Sequence, residues 1–183
     1  MKIFQILLNS PNLTCYYSET NQDVAAAERW LAEQAQAQGW AKAQKLQGRN
    51  TSQGLLGVLI RDQAAAMVQL NCETDFVAKN QQFVSLLKQV AEGCLLTATT
   101  AGQDWTKAEL ARDSVGGLDS CETGKTIGDL VALNIGQIGE NMTLGDARLF
   151  SAGGDVRVAA HCHPSVGTGP GWVCGRLDCF RLF

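Results

Sequence analysis

Between Ala64 and Cys94 the spacing of apolar residues changes from two to about 3.6, and that change fixes much of what this chain can fold into. Ala64, Ala66, Val68 and Leu70 fall on alternate positions, which places them on one face of a β-strand. Phe76, Phe83, Leu86, Leu87, Val90, Cys94 and Leu95 then follow the i, i+3, i+4, i+7 rule and form one stripe of a long helix. Thr74 suits the N-cap of that helix, and Asp75 falls in the first turn, where a negative charge meets the helix dipole. Upstream, Leu55 to Ile60 is a second apolar run, and Arg61-Asp62-Gln63 between the two is short and polar enough for a hairpin turn.

The flanking sequence adds further elements. Val24, Ala27, Leu31 and Ala35 recur at helical spacing with Trp30 beside them, which predicts a short helix capped by Asn21 or Asp23 and ended by Gly39. Lys42 to Gln53 reads as a solvated polar linker. Asp104 is placed to cap another short helix that runs to Leu110, and Asp113 to Gly124 reads as a loop. Thr126 opens a helix with Asp129 three residues on, a capping-box pattern, and Ile127, Leu130, Val131, Asn134, Ile135 and Ile138 form its apolar face. Thr143 to Phe150 and Val156 to Ala160 read as strands, and no usable periodicity follows Gly167. A hairpin, then helices, then strands, without an internal repeat, indicates an α+β fold.

Composition narrows the function classes. Hydrophobic residues make up 45% of the 183 positions and charged residues 18%, enough apolar material for a packed core. The net charge of −3 argues against a nucleic-acid backbone as the main partner, because phosphate binding needs clustered Lys and Arg. No run approaches the ~20 apolar residues that cross a bilayer. The seven cysteines are irregularly spaced and contain no CxxC pair, which fits a reducing compartment. Asn12, Asn50 and Asn141 head Asn-x-Ser/Thr triplets, which matter only in a secreted chain. The apolar stretch from Ile3 to Leu8 is interrupted by Gln5 and short for a signal peptide, and Met1 to Asn21 holds one Lys and no Arg, unlike a mitochondrial presequence.

Sites for covalent chemistry are not legible. Gly124-Lys125-Thr126 ends like a phosphate-binding loop, but Asp119 stands where that motif needs Gly, and no buried strand precedes it. Gly167, Gly169 and Gly171 lack a strand-turn-helix context. His161-Cys162-His163 with Cys174 and Cys179 offers metal-ligand types, yet adjacent residues of an extended segment point to opposite faces and the spacing matches no common zinc module. Both histidines lie in that cluster, and no nucleophile-elbow pattern occurs. The expectation is a chain with no catalytic residues, no metal and no cofactor.

The run Asn71-Cys72-Glu73-Thr74-Asp75-Phe76-Val77-Ala78-Lys79-Asn80, followed by Phe83, resembles the signature of the elongation factor Ts family. Glu28-Arg29-Trp30-Leu31 with Gly39-Trp40-Ala41-Lys42-Ala43 resembles the last helix of that family's N-terminal module. Gly54-Leu55-Leu56-Gly57, Thr126-Ile127-Gly128-Asp129-Leu130 with Ile138-Gly139-Glu140-Asn141-Met142, and Val158-Ala159-Ala160 with His163-Pro164-Ser165-Val166 resemble core segments, although the family usually carries an aromatic near His161. The resemblance implies a partial elongation factor Ts-like core over residues 50–166, a hairpin and further antiparallel strands packed with helices. A remnant of the helical module and linker over 21–49 precedes it. Residues 1–20 and 167–183 resemble neither part, as in a chain truncated or alternatively spliced at both ends. The resemblance also implies a function. The chain would be a translation elongation factor, a guanine nucleotide exchange factor that binds GDP-bound elongation factor Tu, in a mitochondrial setting, with no direct nucleic-acid or membrane partner. By match, Phe76 is the wedge that enters the GTPase near its magnesium site, Asp75 its polar companion, and Thr74 and Val77 shape the tip. From periodicity alone Phe76 fits the buried stripe of the long helix equally well. Two alternatives to exchange stand beside it: an inactive truncated form that binds elongation factor Tu without exchange, and a secreted glycosylated module.

Overall fold

The structure is a computed structural model that describes residues 24–100, 106–120, 124–152, 158–163, 165–176 and 180–182. The predicted hairpin is present. Strands β1 (Gln53–Arg61) and β2 (Ala64–Cys72) pair antiparallel from Arg61↔Ala64 to Gln53↔Cys72. Asp62 takes the tight turn with φ 55°, a conformation Asp tolerates better than most residues. Helix α1 (Val24–Leu46) precedes the hairpin, and the one-turn α2 (Asp75–Ala78) and long α3 (Gln81–Thr100) follow it. After them come β3 (Thr106–Leu110), the short α4 (Arg112–Gly116), α5 (Ile127–Ile138) and β4 (Met142–Ser151). The remaining strands are β5 (Ala160–Cys162), β6 (Ser165–Gly169), β7 (Trp172–Gly175) and β8 (Phe180–Leu182).

Six strands form one sheet in the order β3-β4-β2-β1-β7-β6, every neighbour antiparallel. Strands β5 and β8 pair separately. The architecture is α+β, with an N-terminal helix ahead of the core. Helix α3 lies on β1 and β2, and its stripe of Phe83, Leu86, Leu87, Val90, Cys94 and Leu95 is buried in one cluster with Leu55, Val68 and Leu70 of the hairpin. Ala64, Ala66, Val68 and Leu70 are all buried, as their alternation predicts. Helix α5 carries the capping box read from the sequence: the Thr126 hydroxyl accepts from the Asp129 amide, and the Asp129 carboxylate accepts from the Thr126 amide. Its predicted apolar face is buried at Ile127, Leu130, Val131, Asn134 and Ile135.

Several local expectations are corrected. Helix α1 does not stop at Gly39 but continues to Leu46, so the polar linker is shorter than Lys42 to Gln53. Gly39 serves close approach instead. A Cβ there would lie 2.7 Å from the Ala132 carbonyl oxygen, and one on Gly136 would lie 3.0 Å from the Gly39 Cα. Two facing glycines let the backbones of α1 and α5 touch, and buried Leu46 anchors the extra turns in the core. The segment ending at Leu110 is an edge strand rather than a helix, because the ladder from Thr106↔Ser151 to Leu110↔Ala147 satisfies its backbone. Part of the expected loop from Asp113 onward is α4, which buries Val115. The stretch without periodicity contributes β7, paired with β1 from Leu56↔Gly175 to Leu59↔Trp172. The Trp172 ring fills the space left by Gly57, where a Cβ would come within 2.5 Å of it. The capping residues proposed at Asn21, Asp23 and Asp104 lie outside the described residues, as do Val156 and Arg157 of the strand proposed from Val156 to Ala160; of the three described positions there, Ala160 alone is in a strand, the first residue of β5.

The glycine contact between α1 and α5 gives a test with an unusual sign. In a solvated helix interior Gly→Ala stabilises by about 0.5–1 kcal/mol. Here Gly39→Ala must push the helices apart, and the expected result is a loss of about 1–3 kcal/mol in urea unfolding. A stabilised Gly39→Ala protein would contradict the close approach.

Candidate functional site

The signature segment sits where β2 leaves the sheet. Thr74 is extended (φ −124°, ψ 154°), and its hydroxyl oxygen accepts from the Val77 amide at 3.4 Å, so it is an N-cap, but not of the long helix expected for it. The helix it caps is only one turn long. The Lys79 amide closes that turn on the carbonyls of Asp75 and Phe76, and Asn80 then starts α3, its side-chain oxygen accepting from the Gln82 amide at 2.9 Å. This restart breaks the phase of the stripe. Phe76 therefore does not join Phe83 in the core; it is 80% exposed, while Phe83 is fully buried. The expectation that both belong to one buried face is overturned. Asn80 was legible as a capping residue type three positions before Phe83, but the unbroken seven-residue spacing from Phe76 hid it.

The four predicted residues thus divide between base and tip. Val77 turns inward and is buried, as is its neighbour Ala78 outside the four; Thr74 is half-buried, and Asp75 and Phe76 project outward. Burying a Phe side chain contributes about 1.5–3 kcal/mol, which this ring forgoes in the isolated chain. Beside it the Asp75 carboxylate accepts from Lys79 Nζ at 2.8 Å. That hydrogen bond holds the carboxyl below its ordinary range, so the tip carries a carboxylate at neutral pH. Between exposed side chains the pair adds little stability.

The support under the tip was missed by local sequence reasoning. Gly139 ends α5 in the left-handed region (φ 90°), which turns the next two residues toward the tip. The Glu140 carboxylate accepts from the Thr74 amide at 3.2 Å and from the Thr74 hydroxyl at 3.0 Å. The Asn141 amide donates to Glu73 Oε1 at 2.6 Å. Asn141 Nδ2 donates to the Arg49 carbonyl at 3.1 Å, and Arg49 forms an ion pair with Glu73 at 3.5 Å. The sequence signal was present only as an acid and an amide directly after a helix-ending glycine.

Cys72 lies beneath this crossing. It is fully buried, and its thiol donates to the Thr74 carbonyl at 3.2 Å. Burial, and next the charge of Glu140, push its pKa up to about 11; burial pushes Cys94 up to about 12. A cleft of about 410 Å³ adjoins α2, lined by Gly54, Leu55, Asp75, Ala78, Lys79 and Val166. Val166, like Phe76, is an exposed apolar side chain.

The other motifs resolve into structural contacts. Lys125 of the Gly124-Lys125-Thr126 sequence donates to Gln36 of α1 at 3.1 Å, and Trp40 Nε1 donates to the Asp129 carboxylate at 2.9 Å. The loop thus ties two helices together. His161 and His163 are exposed and Cys162 is buried, the alternation expected of an extended segment. Cys179 lies outside the described residues. Among the described residues no group of three His, Cys, Asp or Glu side chains is placed to hold a metal ion.

Comparison with known proteins bears on the same segment. A protein-family model described as Elongation factor TS matches residues 73–171, which includes the tip and its support. The mitochondrial elongation factor Ts of Drosophila melanogaster is 46% identical over 156 residues, 82% of this chain and 49% of that protein. That of Aedes aegypti is 42% identical over 147 residues, 79% of this chain and 48% of that protein. That of Salmo salar is 36% identical over 166 residues, 89% of this chain and 53% of that protein. The chain spans about half the length of the curated relatives it matches.

The buried thiols provide a check on the base of the tip. A raised pKa means that folding favours the protonated thiol, so its contribution is present below pH 9 and lost as pH rises through about 11. At pH 8, Cys72 and Cys94 are expected to resist iodoacetamide in the folded protein and to react after denaturation, as read by peptide mass spectrometry. Modification of Cys72 without denaturant would contradict the packing described.

Proposed function

Because the chain belongs to the elongation factor Ts family, we propose that it binds elongation factor Tu and promotes release of GDP, with Phe76 as the side chain that inserts into the GTPase. The single observation that carries this reading is the 80% exposure of Phe76 on a helical turn anchored at its base. An exposed ring on a fastened turn can enter a partner's pocket with little further ordering, so less of its burial energy is spent on conformational entropy. Asp75 supplies a charged companion, Thr74 caps the turn, and Val77 plugs it into the core. By the same reading residues 50–166 form the partner-binding core and residues 21–49 a remnant of the helical module. The setting is mitochondrial, after the names of the relatives.

The mechanism needs no covalent step. The exchange factor binds a GTPase conformation in which the nucleotide and magnesium contacts are disturbed. GDP binds that conformation more weakly, and reciprocity requires GDP to weaken the exchange factor by the same factor. No acid, base or nucleophile is required of this chain. Among the described residues no helix is long and apolar enough to cross a membrane.

A second reading follows from the span of the match. A chain that spans about half the length of the relatives it matches can retain the tip and bind elongation factor Tu without accelerating release. Of the three Asn-x-Ser/Thr triplets behind the secreted, glycosylated alternative, Asn141 is buried with its side-chain amide donating to the Arg49 carbonyl, Asn50 is exposed, and Asn12 lies outside the described residues.

Release of a fluorescent GDP analogue from elongation factor Tu tests the proposal. The chain is expected to accelerate release in a concentration-dependent way, and Phe76→Ala to reduce that acceleration at least about tenfold, the equivalent of ~1.4 kcal/mol. Its stability should stay within about 0.5 kcal/mol, since the ring is exposed. A folded chain that binds without accelerating release would select the second reading, and full activity of Phe76→Ala would contradict the role given to the ring.

A further inference from the structure

We infer that Glu140 is a positioning residue for the tip: its carboxylate continues the β2–β4 pairing beyond the last backbone pair and fixes the orientation of the Phe76 turn. The backbone ladder between these strands runs through Leu70↔Leu144 and Asn71↔Thr143 and ends at Cys72↔Met142. The next two residues on each side remain in the same antiparallel step, although the backbones diverge into α2 and α5. The Asn141 backbone amide donates to the Glu73 carboxylate, and the Thr74 backbone amide and hydroxyl donate to the Glu140 carboxylate, so a side-chain carboxylate takes the place of the opposite backbone carbonyl in each pair. Two side-chain rungs therefore extend a six-stranded sheet toward a one-turn helix that has little stability of its own.

The chemistry of the last rung explains why an acid suits it. Thr74 presents two donors there, its amide and its hydroxyl, and an ionised carboxylate offers only acceptors. With its proton committed to Glu140, the Thr74 hydroxyl keeps a lone pair for the Val77 amide. The order is Val77 N–H to Thr74 O–H to Glu140 carboxylate, a chain in which each bond strengthens the next. A glutamine in that place would supply one acceptor and turn an NH₂ group on a Thr74 donor or on the hydroxyl oxygen that caps Val77. The first rung fixes the other side. Asn141 and Arg49 hold Glu73, so the same crossing also fastens the connection between α1 and β1. The aim of the Phe76 ring is then set relative to both the sheet and the end of α1.

The consequence for nucleotide release rests on the function proposed above; the anchoring itself does not. The test uses Glu140→Gln and Glu140→Ala in the full chain, with two readouts. Amide hydrogen exchange in the free protein is compared at Val77 and Ala78 against Val68 and Leu70 of β2. Release of the fluorescent GDP analogue from elongation factor Tu is followed over a range of chain concentrations. The expected result is about a tenfold loss of protection at Val77 in Glu140→Gln, larger in Glu140→Ala, with β2 unchanged. The maximal rate of release should fall by a similar factor, while the half-saturating concentration moves less than about twofold, because a misaimed ring weakens coupling more than encounter. Unchanged protection at Val77 in both variants would overturn the inference. So would a uniform loss across β2, which would mark Glu140 as a residue of general stability. If the unaltered chain accelerates no release, the exchange reading falls, and protection at Val77 alone decides the anchor.

Discussion

The stripe of α3 pressed on the β1–β2 hairpin is the contact on which the other features depend. Phe83, Leu86, Leu87 and Val90 meet Leu55, Val68 and Leu70 with almost no solvent between them, and removing a ring the size of Phe83 from such a core costs about 3–5 kcal/mol. With α3 pinned there, the chain that leaves β2 at Cys72 does not run into it as one continuous helix. It forms one turn, stops at Lys79 and restarts at Asn80. The exposure of Phe76 is a geometric result of that restart, and the core keeps it so, because bringing the ring inward would unseat Val77 and Ala78.

The tip is then held from outside the helix that carries it. Glu140 and Asn141 lie on the far side of α5, 66 and 68 residues along the chain from the groups they bind. Their grip depends on α5 ending where it does, at a glycine in the left-handed region, and on α5 being set by its capping box and by the glycine contact with α1. The order of dependence runs from helix caps, to helix packing, to two side-chain rungs, to one exposed ring.

Much of this was legible in the sequence because its causes are local. The alternation in β2, the stripe from Phe83 and the Thr126–Asp129 capping box are each written within a few residues and reappear as predicted, and Thr74 is a cap, although of a one-turn helix instead of the long one. The errors have a common origin in residues with two physical uses. Gly39 can end a helix or let two helices touch, and only the partner α5 decides. Thr106 to Leu110 can be helix or strand, and the open edge of β4 decides. Trp172 to Gly175 is too short to show a period, yet β1 receives it because Gly57 leaves room for an indole. At the candidate site, the residue types of the tip were readable, but the exposure of Phe76 and the grip of Glu140 on Thr74 are set by distant neighbours that no local pattern contains.

The central claim is that Phe76 enters elongation factor Tu and that its entry competes with GDP. The most direct measurement replaces Phe76 by a photoreactive benzoyl-phenylalanine and irradiates the chain with elongation factor Tu, with and without excess GDP. The account predicts a cross-link from position 76 into the GTPase domain that diminishes as GDP is raised. A chain that binds elongation factor Tu but yields no cross-link from position 76, or one indifferent to GDP, would contradict it.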